Sequence, residues 1–168
     1  MIRIAPEVTV PATVRPLEAR DVPRLLDLID GLADYEKLDR PDADARERLA
    51  RDAAGPNPRF RTLLGELDGE AVGYAIFFFT YSTFLARPTL YLEDIFVLPE
   101  HRGKGAGKAL FRAVAAEAVR SECGRMEWQV LDWNQPSIDF YERNGARLMK
   151  EWVPCRLTGE ALKKVAGG

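Results

Sequence analysis

Histidine is nearly missing from this 168-residue chain. His101 is its one histidine, which excludes a two-histidine mechanism and a histidine-rich metal centre. Cys123 and Cys155 are its two cysteines, too few for a disulfide framework or a four-ligand zinc site. Long apolar runs are missing as well. The longest, residues 75–79, is far shorter than a bilayer crossing requires. Residues 1–13 lack the basic start and apolar stretch of a secretory signal, so the expected compartment is the cytoplasm, where thiols stay reduced. Charge of one sign is not in excess either. A net charge of −2 argues against a general nucleic-acid binder, which is usually basic, and no membrane partner is expected.

What is present suits one soluble globular domain. Hydrophobic residues make up 46% and charged residues 30%, the balance of a chain that folds on its own core. At this length no metal or disulfide is needed to hold it. No stretch reads as a linker and no internal repeat is visible. Residues 1–12, with Pro6 and Pro11, read as an irregular leading segment, and residues 13–168 as a single domain.

The periodicity predicts a strand over 13–17 and an amphipathic helix over 21–37, with Val22, Leu25, Leu26, Ile29, Leu32 and Ala33 at three-and-four spacing. A second, charged helix is expected over 39–52, before the breaker cluster at 55–58. The period then shortens. Residues 61–67 and 70–81 read as strands joined by a tight turn at Asp68-Gly69. Further strands are predicted over 90–98, 125–131 and 147–157. Helices are predicted up to Ser121, over 137–144 and over 158–166, with Gly145 closing the second of these. The fold class is α/β (α+β), with a mixed sheet flanked by helices.

Between the strand ending at Leu98 and the next helix lies His101-Arg102-Gly103-Lys104-Gly105-Ala106-Gly107-Lys108. Glycines there let the backbone approach a ligand, and the helix N-terminus beyond them favours an anion, phosphate above all. A Walker P-loop fails twice: Arg102 stands where its first glycine belongs, and Ala109 follows Lys108. A dinucleotide fingerprint starting at Gly103 fails because Lys108 occupies its third glycine position. Arg-x-x-Gly-x-Gly is satisfied by Arg102, Gly105 and Gly107. The alternative is an ordinary tight turn, which has no need of three glycines and three cations.

That segment resembles the pyrophosphate loop of the acetyl-CoA-dependent GNAT N-acetyltransferases. Residues 91–97 (Tyr-Leu-Glu-Asp-Ile-Phe-Val), 133–141 (Trp-Asn-Gln-Pro-Ser-Ile-Asp-Phe-Tyr) and 32–36 (Leu-Ala-Asp-Tyr-Glu) are similar to the spermidine/spermine N1-acetyltransferase branch, in its order and spacing over residues 13–166. The resemblance implies a GNAT fold with a mostly antiparallel central sheet, acetyl-CoA as cosubstrate, a homodimer and no metal. It implies that the backbone of Ile95, Phe96 and Val97 lies beside the pantetheine arm. Arg102, Gly103, Lys104, Gly105, Ala106, Gly107 and Lys108 would hold the pyrophosphate. Asn134, Gln135, Pro136 and Ser137 would contact the cofactor near its thiol. Tyr141 would be the general acid for the departing thiolate. Tyr35, Glu36 and Glu93 would hold the amine, with Glu127, Trp128 and Gln129 as further contacts. Departures at Gln135, at Asp139 and in the shorter segment 145–156 with Pro154 leave the acceptor open among polyamines, diamines and thialysine-like amino acids.

The chemistry is consistent with this. An amine must lose a proton before attacking a thioester, and Glu93 and Asp94 offer two carboxylates just ahead of the loop. Strand alternation sends neighbours to opposite faces, so both could serve one site only across a bulge. A tyrosine hydroxyl such as that of Tyr141 can donate at neutral pH. A backbone N–H near residues 95–97 could serve the thioester oxygen. Asp27, Asp30, Asp34, Glu36, Asp39, Asp42, Asp44 and Glu47 form either a field that draws a cation or a solvated face partly cancelled by neighbouring arginines. Trp128 and Trp133 line a cleft or pack the core, and Cys123 and Cys155 read as small hydrophobes. Two other readings remain: a GNAT enzyme acting on a peptide or protein amine, and a non-catalytic CoA- or amine-binding sensor.

Overall fold

A computed structural model of the chain describes residues 11–167; the expected irregular segment 1–12 lies, for residues 1–10, outside the described residues. The chain divides into two compact units, one up to Gln129 and one from Val130 onward.

The first unit is a five-stranded sheet in the order β1-β2-β3-β4-β5. Its strands are β1 (Thr13–Pro16), β2 (Arg61–Leu67), β3 (Glu70–Ser82), β4 (Arg87–Val97) and β5 (Arg125–Glu127). The first four are antiparallel neighbours, and β5 joins β4 in parallel, so the sheet is mixed and mostly antiparallel. The turn between β2 and β3 has two left-handed residues, Asp68 at φ 52° and Gly69 at φ 80°, the backbone that suits a two-residue hairpin. Helices α1 (Val22–Glu36) and α2 (Ala43–Ala54) cover one face of the sheet, and α3 (Ala106–Arg120) the other. The Asp42 side chain accepts the Ala45 N–H at 2.8 Å and caps α2.

Two apolar layers follow from strand alternation. Leu25 and Leu28 of α1 pack with Leu64, Tyr74, Ile76 and Phe96. Leu110, Val114 and Ala118 of α3 pack with Ala75, Phe77, Leu90 and Leu92. Even-numbered Leu92 and Phe96 would share a face in a regular strand. They lie in opposite layers because β4 is bulged: Ile76 pairs with Asp94 and Phe77 with Leu92, which leaves Glu93 as the extra residue.

The second unit holds α4 (Gln135–Arg143) and α5 (Gly159–Val165). Asn134 caps α4 by accepting the Ser137 N–H at 3.4 Å, and the helix begins two residues earlier than its periodicity predicts because Pro136 fits its first turn. Ile138 and Tyr141 are its buried side chains.

Two strand predictions are corrected. The strand expected over 125–131 stops at Glu127, where its ladder with β4 ends. Residues 147–157 form no strand. An isolated strand is not stable without a neighbour. No ladder reaches this segment among the described residues, Pro154 lacks a donor, and residues 149–157 are exposed. Cys155 is therefore exposed as well, whereas Cys123 packs beside the α3 layer as expected.

The close approach of β3 to β4 depends on Gly73. A Cβ there would stand 2.5 Å from the Phe96 carbonyl oxygen and 2.8 Å from Val97 Cγ2. Gly73→Ala is expected to destabilise the protein by roughly 1–3 kcal/mol, the usual cost of overpacking. Urea denaturation reads this directly, and an unchanged midpoint would show that β4 yields at no cost.

Candidate active site

The bulge in β4 builds the acidic part of the site. It puts Asp94 on the α1 face beside Tyr74, whose hydroxyl makes a long 3.5 Å hydrogen bond to Asp94 Oδ2. Asp94 is half-buried and Glu93 exposed. Burial, then the charges of Glu93 and Glu36, push the Asp94 carboxyl up to about 6, and the Tyr74 hydrogen bond opposes the shift. Tyr74 is wholly buried, and burial, then Asp94 and Glu36, raise its own pKa. Glu36, the last residue of α1, thus acts electrostatically on both groups. The structure brings together three of the carboxylates expected from the sequence.

Tyr74 and Tyr91 were not among the expected site residues. Tyr91 stacks on Phe78 at 5.3 Å between ring centroids, and burial with Glu93 and Glu127 raises its pKa. The signal for Tyr74 was present: a lone hydroxyl in the apolar β3 run, on the parity that α1 covers.

The remaining N-terminal acids are largely committed elsewhere. Asp34 pairs with Arg40 at 2.6 Å, and Asp30 pairs with Arg46 at 2.8 Å, with Asp27 at 4.0 Å from the same guanidinium. Glu36 instead acts together with Glu93 on Asp94.

Next to these carboxylates, β4 has an open edge. The ladder with β5 ends at the Tyr91–Glu127 pair, so residues 92–97 have no partner on that side among the described residues. Ile95, Phe96 and Val97 lie along this stretch, where an extended ligand chain can run as a neighbouring strand does. Phe96 buries its ring in the α1 layer, while Ile95 and Val97 pack on the α3 layer.

The glycine-rich loop follows a short 3-10 turn at Pro99–His101. Gly103 and Gly105 have φ 77° and 96°, a backbone that favours glycine, and a Cβ built on either meets nothing within 4 Å, so the loop is open to solvent there. Gly105 caps α3 without a side-chain hydrogen bond. The first helical bond runs from Ala109 N–H to Gly105 O, leaving the N–H groups of Ala106, Gly107 and Lys108 without intrahelical acceptors. Lys104 and Lys108 are exposed beside them. This combination fits a pyrophosphate, and it lies one turn beyond the open edge of β4.

Arg102 behaves differently. Its N–H bonds to Pro99 O at 3.2 Å and its Nε–H to Val97 O at 3.0 Å, while its guanidinium carbon lies 4.4 Å from the Tyr35 ring centroid and 5.6 Å from that of Phe96. Of the other expected acceptor contacts, Glu127 is bridged to Arg125 at 3.0 Å and faces the Tyr91 side. Trp128 packs on Phe111 in the α3 layer, away from Tyr35, and Gln129 is exposed.

In the second unit, Asn134, Gln135, Pro136 and Ser137 form the cap and first turn of α4, and Gln135 donates to Asp139 at 2.6 Å. Tyr141 is buried one turn further on, edge-to-face with Phe140, and burial pushes its phenol up to about 12. It stays protonated at neutral pH. Trp133 is exposed. Among the described residues no group of side chains is placed to hold a metal, and no helix is long and apolar enough to cross a membrane.

Comparison with known proteins bears on the family and the fold. A family model described as acetyltransferase (GNAT) family matches residues 25–146. A thialysine N-epsilon-acetyltransferase of Sus scrofa is 38% identical over 165 residues, covering 92% of this chain and 96% of its own. An L-ornithine N5-acetyltransferase of Arabidopsis thaliana is 49% identical over 98 residues, covering 58% of this chain and 43% of its own. An aminoglycoside N-acetyltransferase solved with CoA superposes with a TM-score of 0.73 at 20% identity, covering 92% of this chain and 99% of that one.

The raised Asp94 pKa has a consequence for stability. The folded chain holds this proton up to about 6, whereas an ordinary aspartate releases it near 3.8. Between those values the folded state binds more protons, so the contribution of Asp94 to stability falls as pH rises through the window. Asp94→Asn is expected to be more stable than the parent at about pH 8, on the order of 1–3 kcal/mol. The advantage closes below about pH 4. Denaturation midpoints at the two pH values measure it, and a pH-independent difference would contradict the shift.

Proposed function

The chain belongs to the acetyltransferase (GNAT) family and is an acetyl-CoA-dependent enzyme that acetylates an amine; from that premise we propose that its acceptor is a primary amine of a small cationic molecule, a polyamine, diamine or thialysine-like amino acid. The observation that carries this reading is the convergence of Glu36, Glu93 and Asp94 beside the open end of β4, where burial and mutual repulsion hold the Asp94 carboxyl near 6. A carboxylate cluster without a matching cation is costly, and a cationic amine relieves that cost. Relatives named for thialysine, ornithine and spermidine/spermine support the same class. So does the resemblance of residues 32–36, 91–97 and 133–141 to the polyamine branch, which also carries the expectation of a homodimer. The family match crosses the boundary between the two units, which supports one acetyltransferase domain over residues 13–168.

Acetyl-CoA supplies the thioester carbonyl that the amine attacks. Tyr35, Glu36 and Glu93 hold the protonated acceptor, with Glu127 as a further contact. Asp94 takes the ammonium proton, directly or through a water, and its raised pKa makes it a better base than an ordinary carboxylate. A backbone N–H among Ile95–Val97 donates to the thioester oxygen. The N–H groups of the Gly103–Lys108 loop hold the pyrophosphate, with Lys104 and Lys108 adding charge. The resemblance assigns Asn134 to Ser137 to the thiol arm and Tyr141 to the departing sulfur. Held protonated by burial, Tyr141 gives its proton to the departing sulfur and regains the second proton that the acetylated nitrogen releases. The nitrogen carries the acetyl group away directly, so no acetylated side chain forms.

A thiol-release assay with acetyl-CoA against putrescine, spermidine, lysine, thialysine, ornithine and a short peptide tests the reading. Turnover on one small amine is expected. Turnover on the peptide alone would establish the peptide-amine alternative, and silence on every amine with acetyl-CoA bound would leave a sensor. With the active amine, kcat/KM rises with pH through about 6 as Asp94 ionises, and that limb disappears in Asp94→Asn. Tyr141→Phe is expected to lower kcat by about 10²-fold or more while acetyl-CoA affinity is kept. An unchanged kcat would remove Tyr141 from the proton-donor role.

A further inference from the structure

We infer that Arg102 is a positioning residue for the acceptor side of the site and not a phosphate ligand. This rests on the acetyltransferase reading above. Arg102 opens the glycine-rich loop, and its sequence position alone invites a role with Lys104 and Lys108. Its side chain goes elsewhere. The Nε–H is spent on the Val97 carbonyl at 3.0 Å, the last carbonyl of β4, and the backbone N–H on Pro99 at 3.2 Å. The guanidinium then lies over the Tyr35 ring at 4.4 Å and near the Phe96 ring at 5.6 Å.

Both rings belong to the α1 layer of the sheet. The helix whose N-terminus fits the pyrophosphate, α3, packs on the opposite layer. The Arg102 backbone therefore belongs to the loop while its side chain crosses to the face that carries Tyr35, Glu36 and Asp94.

The contact ties three elements together. Tyr35 is the penultimate residue of α1, and Glu36, the last, acts electrostatically on Asp94. A cation over Tyr35 is also favourable at a helix C-terminus, where carbonyl groups accumulate partial negative charge. A planar guanidinium stacks on an aromatic face while donating in its own plane, which an ammonium cannot do. Arg102 thereby fixes where Tyr35 and Glu36 stand relative to the end of β4.

Arg102→Lys separates the two roles, because it keeps the charge and loses the plane. Two titrations are needed: acetyl-CoA binding by calorimetry, and KM for the fastest amine in the panel. For R102K the acetyl-CoA Kd is expected to stay within about twofold of the parent, while the amine KM rises about fivefold and kcat changes less than KM. Tyr35→Leu should reproduce the KM rise, and the double variant should be no worse than the poorer single one. Additive effects, or a weakened acetyl-CoA Kd with an unchanged amine KM, would overturn the inference and leave the enzyme assignment standing. A parent protein that acetylates no amine would take down the acceptor reading and this inference together. Circular dichroism checks folding, and if R102K does not fold, Arg102→Met is read in the same two titrations with the same outcomes.

Discussion

One extra residue in one strand, Glu93 in β4, sets the geometry on which the site depends. A regular strand would place Leu92, Asp94 and Phe96 on a single face. That face would have to bury a carboxylate between two large apolar side chains. The bulge reverses the parity midway, so Leu92 serves the α3 layer and Phe96 the α1 layer, each with its own core. Asp94 comes to the α1 side next to Tyr74 and within the field of Glu36, while Glu93 is left exposed at the break. Bulges bend and twist a strand, and here the ladder to β5 ends two residues before the break, leaving the rest of β4 with an open edge. Acid cluster and open edge thus arise at one place in one strand.

Electrostatics divides the unit into paired and unpaired regions. Along α1, Asp27, Asp30 and Asp34 face arginines across short gaps, and such exposed pairs contribute little to stability and cancel at a distance. At the end of the same helix stands Glu36, and burial, then the charges of Glu93 and Glu36, let Asp94 of β4 hold its proton to about 6. A carboxyl in that condition is a proton acceptor tuned toward neutrality, at the cost of some stability at higher pH. On the loop side the charges are positive and come largely from backbone N–H groups and two exposed lysines. Opposite potentials on either side of an open strand edge suit an anionic cofactor and a cationic acceptor meeting there.

Most of the first unit was legible in the sequence, for physical reasons. Alternation in β2 and β3, the Asp68-Gly69 turn and the three-and-four spacing of α1 are local patterns that tertiary packing reinforced. The turn before α3 was legible because its left-handed positions demand glycine, and glycine is visible as such. The need for a bulge could be stated from the adjacency of Glu93 and Asp94, but its occurrence could not, because a bulge is fixed by the partner strand. The strand expected over 125–131 stops at Glu127, and the one over 147–157 is missing, for the same reason. Their residues have acceptable strand character, but strand formation requires a ladder that no local pattern guarantees. Tyr74 escaped notice because a tyrosine in an apolar run reads as core until a carboxylate is found across from it.

The two halves of the site differ in how they encode specificity. The proposed pyrophosphate cradle consists of main-chain groups in one short segment, so a single stretch of sequence carries it and few side chains can change it. The proposed acceptor wall draws on side chains at the end of α1, on β3 and on the bulged part of β4, brought together only by the fold. Each can be replaced without disturbing the cradle. Arg102 is the point where the two halves touch, since its backbone opens the cradle and its side chain reaches the wall. A chain built this way can keep one cofactor while its acceptor drifts, provided that the residue joining the halves keeps both attachments. Loop and wall then remain in register whichever amine the proposed wall receives.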